Sequence, residues 1–127
     1  MVKKTIVIIS SNRLFPLLFE TLLFRKIDNL ELIICNSIED IDQKVNSLTV
    51  NLTLMDSILN STPSFEVMRY LRMEKRLTSP IFFFPEIRTD FYAYKSYVMG
   101  ASLLINKPFD PYKVTEEIAD SLNENDK

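Results

Sequence analysis

Residues 51–56 read NLTLMD, a short apolar run that ends in a carboxylate, Asp56. A strand that is covered on one face alternates apolar and polar residues, whereas a strand buried on both faces of a parallel sheet is almost continuously apolar, as this one is. An ionised carboxylate without partners is costly to bury. The run therefore predicts a strand whose carboxyl end places Asp56 near solvent or beside a partner.

Four further runs have the same length and character, namely TIVIIS (5–10), LELIIC (30–35), PIFFF (80–84) and SLLIN (102–106). Segments with helical spacing separate and follow them, over 13–26, 37–48, 65–76, 89–99 and from Asp110-Pro111 onward. Five strand–helix pairs in alternation predict an α/β fold with a doubly wound, five-stranded parallel sheet in the order 2-1-3-4-5. The ends of strands 1, 3 and 5 then meet, at Ser10-Ser11-Asn12, Asp56 and Asn106-Lys107.

The helical segments carry signals for their ends and for their buried sides. Ser64 is the predicted N-cap of helix 3, Asp110 that of helix 5, and Gly100, the only glycine in the sequence, ends helix 4. Helix 1 is expected to pack on the sheet through Leu14, Leu17, Leu18, Thr21, Leu22 and Arg25, and helix 2 through Ile38, Ile41, Val45 and Leu48. The basic segment RYLRMEKR (69–76) is interpreted as the solvated side of helix 3 rather than as a nucleic-acid contact.

Helix 4 carries aromatic residues on two sides. Phe91, Tyr94 and Val98 form one stripe, and Tyr92, Ser96 and Met99 form another. A helix on one face of a sheet buries only one such stripe, so part of the set is exposed. Because exposed aromatics are enriched at interfaces, the candidate interaction surface comprises Phe91, Tyr92, Tyr94 and Tyr97. The alternative is that these tyrosines lie at the surface without a partner.

Composition restricts the class of protein. A chain of 127 residues with 46% hydrophobic content suits one domain, here 1–122, with residues 123–127 expected as a disordered tail. The net charge of -2 gives no argument for binding nucleic acid or a membrane surface, and no apolar run reaches the roughly 18 residues of a membrane span. The start, MVKKTIVIIS, lacks a signal-peptide cleavage pattern, so a cytoplasmic location is expected.

Residue usage also limits the chemistry. The chain has no histidine, which excludes His-based catalysis and makes a Cys/His zinc site implausible. Cys35, the single cysteine, lies in the run LELIIC and is expected to be a small buried apolar residue.

The stretch GASLLINKPFD (100–110) resembles the end of a response-regulator receiver domain, whose pattern G-A-x-x-aromatic-L-x-K-P-F is matched at Gly100, Ala101, Lys107, Pro108 and Phe109. LTLMD resembles the third strand of that family, which ends in the phosphoacceptor aspartate, and Phe65, Glu66, Leu71 and Arg72 match the helix that follows. The resemblance implies a flavodoxin-like receiver fold, Lys107 beside Asp56, a cis Lys107–Pro108 peptide bond, and an output or dimerisation surface on helix 4, strand 5 and helix 5.

The departures from the family pattern concern its chemistry. Ser10, Ser11 and Asn12 stand where the family has two adjacent acids that hold magnesium. Pro85 replaces the switch hydroxyl, and Glu86 adds a negative charge beside it. Leu104 replaces the switch aromatic, while Asn60 and Ser64 replace the proline and glycine of the loop after Asp56. The expected site therefore has no catalytic residue and no metal, and Asp56 is an inactive phosphoacceptor position paired with Lys107.

Three hypotheses follow. The leading one is a stand-alone, non-enzymatic receiver-like domain that binds a protein partner or a second copy through helix 4, strand 5 and helix 5. The alternative is a working response regulator that is phosphorylated on Asp56 by a histidine kinase, with Mg²⁺ held partly by Glu86 or another acid. A flavodoxin-like enzyme or nucleotide binder is the third, but SSNRLF (10–15) has no glycine with which to approach a phosphate.

Overall fold

Five strands form a single parallel sheet, and their bounds are Lys4–Ile9 (β1), Leu30–Cys35 (β2), Leu52–Asp56 (β3), Ile81–Phe84 (β4) and Leu103–Leu104 (β5). The strand order is β2-β1-β3-β4-β5, as predicted. The computed structural model describes residues 2–57, 59–60 and 62–125. β5 is shorter than the predicted run because only two of its residues pair with β4, although the amides of Ser102 and Ile105 still donate to carbonyls of β4.

Five helices cover the two faces of the sheet, and their bounds are Leu14–Lys26 (α1), Ile38–Lys44 (α2), Ser64–Arg69 (α3), Asp90–Met99 (α4) and Pro111–Asn125 (α5). One π-helical turn, Tyr70–Glu74, continues α3. α1 and α5 pack with Ile6, Ile8 and Leu54 on one face, whereas α2, α3 and α4 pack with Val7, Ile9 and Met55 on the other. Alternate residues of each strand thus enter different cores, which confirms the doubly wound sheet. Within the described ranges, no helix combines the length and apolarity needed to cross a membrane.

The buried side of α1 is not the predicted one. Leu14, Leu17 and Leu18 are exposed, and the helix packs instead through Phe15, Phe19 and Leu23. α1 is apolar around most of its circumference, so helical spacing alone offers two possible stripes. The aromatic stripe is buried because Phe15 and Phe19 pack against Phe84 and Phe109, which brings more apolar area out of water than the leucines could.

Other boundaries also differ from the sequence prediction. α2 ends at Lys44, so Leu48 lies beyond it and is exposed, while Ile41 and Val45 are buried as predicted. Pro63, not Ser64, is the N-cap of α3. α5 includes residues 123–125, so the prediction of a tail beginning at 123 is wrong for these three, and residues 126–127 lie outside the described ranges.

Three further predictions are confirmed. The amide of Tyr112 donates to Asp110 Oδ1 at 2.9 Å, which caps α5, and the Lys107–Pro108 peptide bond is cis. Cys35 is fully buried, and burial raises the pKa of its thiol to about 11.

Arg72 is a structural residue rather than part of a solvated basic side. Its Nη1 donates to the carbonyls of Leu77 and Ser79, both at 2.8 Å, and its Nη2 donates to the carbonyl of Gly100 at 2.7 Å. These bonds join the π turn to the segment before β4 and to the loop between α4 and β5. Gly100 has φ +127, and a Cβ there would lie 2.7 Å from Arg72 Cγ. The position therefore requires glycine for both its backbone conformation and its close contact.

We expect the substitution Gly100→Ala to lower the free energy of unfolding by about 1–3 kcal/mol, because it adds backbone strain and displaces the Arg72 side chain. Chemical denaturation followed by circular dichroism measures the change. Thr21→Ala on the exposed side of α1 is the control and should change stability by less than about 0.5 kcal/mol. Equal stability of Gly100→Ala and the control would contradict this role.

Candidate functional site

The carboxyl ends of β1, β3 and β5 bring Ser10, Asp56 and Lys107 together. Asp56 is the last residue of β3 and is only 1% exposed. Its Oδ2 accepts a hydrogen bond from Ser10 Oγ at 2.7 Å, and its Oδ1 accepts from Lys107 Nζ and from the Ser57 amide, both at 2.8 Å. Each carboxylate oxygen thus has a donor, and Lys107 provides the countercharge that the sequence analysis assigned to it.

Glu86 is a fourth member of the site. It lies in the loop after β4, and its Oε1 accepts hydrogen bonds from Lys107 Nζ at 2.9 Å and from Ser57 Oγ at 3.1 Å. From sequence, Glu86 was only a negative charge that would repel a phosphate or replace a magnesium ligand. In the structure it is a second carboxylate partner of Lys107. Its position just after a strand that neighbours β3 is the one sequence signal that could have indicated this contact.

The electrostatics of the site follow from these contacts. Hydrogen bonds from Lys107 and then Ser57, together with the lysine charge, hold the pKa of Glu86 below its usual value. Burial alone would lower the pKa of Lys107, but its hydrogen bonds to Asp56 and Glu86 and the charges of those residues outweigh burial and raise it. Lys107 is therefore firmly protonated, and the three charged groups together carry one net negative charge.

Of the three polar residues after β1, only Ser10 bonds to Asp56. Ser10 Oγ also accepts from the Asn12 amide at 3.0 Å, while Asn12 Oδ1 accepts from the amide of Leu14 at the start of α1. Ser11 Oγ faces the carbonyl of Asn36 in the loop after β2, at 3.4 Å. Ser11 and Asn12 thus serve local turns and caps rather than the carboxylate.

These residues do not fit a magnesium site. Mg²⁺ demands near-octahedral oxygen coordination and is usually held by one or two carboxylates. In the chain as described, no group of three or more His, Cys, Asp or Glu residues is placed to hold a metal ion. The two oxygens of Asp56 face Lys107 Nζ, the Ser57 amide and Ser10 Oγ, and Glu86 also faces Lys107. A cation at Asp56 would have to displace the lysine ammonium.

Pro85 and Leu104 are the two residues that the sequence resemblance aligns with switch positions. Pro85 is buried directly after β4 and has neither a hydroxyl nor an amide hydrogen to donate. Leu104 pairs in register with Phe83 and packs against the core shared with α2, α3 and α4. Both side chains are apolar, so neither can respond to a phosphoryl group by hydrogen bonding.

The outer side of α4 exposes four large apolar side chains, Phe91, Tyr94, Tyr97 and Val98, which we call the aromatic α4 surface. Phe91 is 74% exposed and Tyr94 is 69% exposed. Tyr92 does not belong to this surface, contrary to its inclusion among the candidates. Its ring packs on Phe65, with centroids 4.9 Å apart, and near Phe83 in the core. The expectation that only one of the two α4 stripes is buried is confirmed.

A second exposed apolar surface lies on α1. The sequence analysis did not identify it, because it predicted that this side of the helix packs on the sheet. Leu14, Leu17 and Leu18 are exposed on α1. Leu14 and Leu18 also line a groove of about 420 Å³ that reaches Asp56 and Lys107 and is bounded by Pro108 and Phe109. The exposed side of α1 therefore continues to the mouth of the Asp56 site.

No protein-family model and no curated protein sequence matches this chain. Solved structures do match over nearly its whole length. A two-component response regulator from Clostridium difficile superposes with a TM-score of 0.83 at 17% identity, covering 98% of this chain and 100% of that one. A CheY-like receiver domain protein from Methanospirillum hungatei gives 0.81 at 20% identity, covering 98% of each chain.

A third similar structure is the signal receiver domain of a DNA-binding response regulator from Colwellia psychrerythraea. Its TM-score is 0.81 at 13% identity, and it covers 95% of this chain and 99% of that one. The fold is therefore that of response-regulator receiver domains, as the sequence resemblance implied. Identities this low show the fold and leave the chemistry of the site to its own residues.

We expect Lys107→Ala to lower the free energy of unfolding by about 3 kcal/mol, because it leaves the buried Asp56 carboxylate without its countercharge. This is the low end for loss of one partner of a buried pair, since 27% of the Lys107 side chain is exposed. Urea denaturation at neutral pH measures it. Lys113→Ala, an exposed lysine of α5, is the matched control. The double variant Asp56→Asn with Lys107→Ala should recover part of the loss, and a double variant less stable than Lys107→Ala would argue against the pairing.

Proposed function

We propose that this chain is a non-enzymatic, receiver-like signalling domain that acts by contact with another protein and without metal-dependent phosphorylation of Asp56. The observation that carries the proposal is the occupation of both Asp56 oxygens by donors from Lys107, Ser10 and Ser57. The receiver fold supports a place in two-component-type signalling. The residues of the site support a domain whose output does not depend on modification of its aspartate.

Phosphoryl transfer to Asp56 would need an anionic carboxylate to approach an anionic phosphate. Enzymes and receivers meet this requirement by neutralising charge at the site, usually with a divalent cation. Here the site carries one net negative charge, and Glu86 lies on the solvent side of Lys107. The alternative, in which a histidine kinase phosphorylates Asp56 and Glu86 helps to hold Mg²⁺, would require Glu86 to leave Lys107.

The aromatic α4 surface is the proposed contact site. Monomeric proteins seldom place several large apolar side chains together on one exposed helix, and aromatic residues are enriched at protein interfaces. Its partner is a protein or a second copy of the chain, with β5 and α5 as the adjoining elements. Nucleic acid is not proposed, because the net charge is -2 and the Arg72 guanidinium is used within the fold.

A nucleotide-binding or flavin-dependent function is less well supported. In doubly wound sheets a phosphate is usually held by backbone amides of the loop after β1. Here the amide of Asn12 donates to Ser10 Oγ, and that of Leu14 donates to the Asn12 side chain. The local turn thus consumes two of the donors that a phosphate would need.

Incubation with Mg²⁺ and acetyl phosphate tests the chemistry directly. We expect the intact mass of the protein to remain unchanged, with no hydroxylamine-sensitive adduct, because no cation neutralises the attack. The variant Asp56→Asn is the control that shows whether any mass increase or adduct depends on this carboxylate. An acyl phosphate that forms on the natural protein and disappears in Asp56→Asn would establish the phosphorylated alternative.

The contact role of the α4 aromatics predicts that folding does not depend on them. We expect the double variant Phe91→Ser with Tyr94→Ser to lower the free energy of unfolding by less than about 1 kcal/mol. The variant Tyr92→Ala on the same helix should lower it by about 2–3 kcal/mol, because the half-buried ring packs against Phe65 and the core. Thermal and urea denaturation separate the two. Comparable losses in both variants would assign the exposed aromatics to the fold and remove the argument for a contact surface.

A further inference from the structure

Lys107 and Ser57 each donate hydrogen bonds to two carboxylates. Lys107 Nζ donates to Asp56 at 2.8 Å and to Glu86 at 2.9 Å. Ser57 donates its amide to Asp56 at 2.8 Å and its hydroxyl to Glu86 at 3.1 Å. Asp56 lies on the buried side of these donors and Glu86 on the solvent side. The ammonium and the hydroxyl therefore form a small anion-binding site, and the Glu86 carboxylate occupies it.

Because the Glu86 side chain is largely exposed, its hydrogen bonds rather than burial fix its orientation. The Glu86 side chain is 57% exposed, so water could solvate its carboxylate in almost any orientation. The two donors that bind it belong to other loops, Ser57 to the loop after β3 and Lys107 to the loop before α5. Glu86 itself lies between the end of β4 and the first residue of α4, Asp90. Its two hydrogen bonds thus tie the loop that leads into α4 to the Asp56 site.

We propose that Glu86 is the resident ligand of the anion site formed by Lys107 and Ser57, where it takes the place of an external oxyanion such as phosphate and fixes the loop between β4 and α4. The inference does not depend on the proposed protein contact. It concerns only what fills the site and what holds the loop.

The charge of the site and the number of its free donors explain why an external oxyanion is excluded while Glu86 is bound. With Glu86 in place, the cluster is net negative, and the Lys107 ammonium and the Ser57 hydroxyl already donate to carboxylates. Without the Glu86 side chain, the charges of Asp56 and Lys107 balance, and one ammonium hydrogen and one hydroxyl become available on the solvent side. A tetrahedral oxyanion presents several acceptor oxygens to such a pair of donors. Once a small anion has bound, the site without the Glu86 side chain resembles the natural site in charge and geometry.

Hydrogen exchange of the variant Glu86→Ala, measured with and without millimolar inorganic phosphate, tests the proposal. We expect exchange in residues 86–90 to be roughly two- to fivefold faster than in the natural protein, as the loss of a solvent-exposed ion pair allows. Phosphate should restore protection in these residues and at Ser57. The natural protein and the control Glu117→Ala, which removes an exposed acid of α5, should show neither the faster exchange nor a response to phosphate beyond that to chloride at equal ionic strength.

Two results would overturn the proposal. Unchanged exchange in Glu86→Ala would mean that Glu86 does not hold the loop. Faster exchange that phosphate fails to reverse, or an equal response of the natural protein to phosphate, would mean that Glu86 does not occupy an anion site. Because Glu86 is largely exposed, the variant is expected to fold, and its circular dichroism spectrum checks this. The acetyl phosphate experiment on Asp56 has a separate readout, so failure of one proposal is distinguishable from failure of the other.

Discussion

A charged carboxylate at the end of the central strand, β3, constrains the loops at the carboxyl ends of the strands. Asp56 is 1% exposed, and a carboxylate in that position is stable only if cationic and hydrogen-bond donors surround it. Ser10 comes from the end of β1, Lys107 from the loop after β5, and the Ser57 amide from the chain directly after β3. Three loops that are distant in sequence must therefore converge, and Glu86 brings a fourth through Lys107.

The same contacts that stabilise the buried charge change what it can do. An aspartate that attacks a phosphate as a nucleophile needs a free lone pair and a nearby cation that neutralises charge. Oδ1 of Asp56 accepts two hydrogen bonds and Oδ2 accepts one, and the formal charges of Asp56, Glu86 and Lys107 sum to one negative charge. Pro85, directly after β4, and Leu104 in β5 have apolar side chains that cannot donate a hydrogen bond. The contacts of Asp56 and Lys107 link the loops in one network, and helices α4 and α1 expose large apolar side chains outside it.

The similarity to receiver structures at 13–20% identity fits this separation between fold and site. The fold requires apolar strands of suitable length, amphipathic helices between them, and a few special positions such as Gly100 beside Arg72. Most side chains at the strand ends are not required by the fold. They can differ without altering the sheet, provided that the buried Asp56 keeps its partners.

The sequence by itself determined the five strands, their order, the meeting of Ser10, Asp56 and Lys107, and the need for glycine at position 100, because strand hydrophobicity and chain topology follow from local patterns. Only the tertiary structure decided which side of α1 is buried, since two apolar stripes satisfy the same helical period and the choice depends on how Phe15 and Phe19 fit against rings from β4 and the β5–α5 loop. It also placed the half-buried Tyr92 against the core, Arg72 on the carbonyl of Gly100, and Glu86 on Lys107. Arg72 and Gly100 are 28 residues apart in the sequence, and Glu86 and Lys107 are 21 residues apart. Local spacing carries no information about contacts at such separations or about how side chains pack.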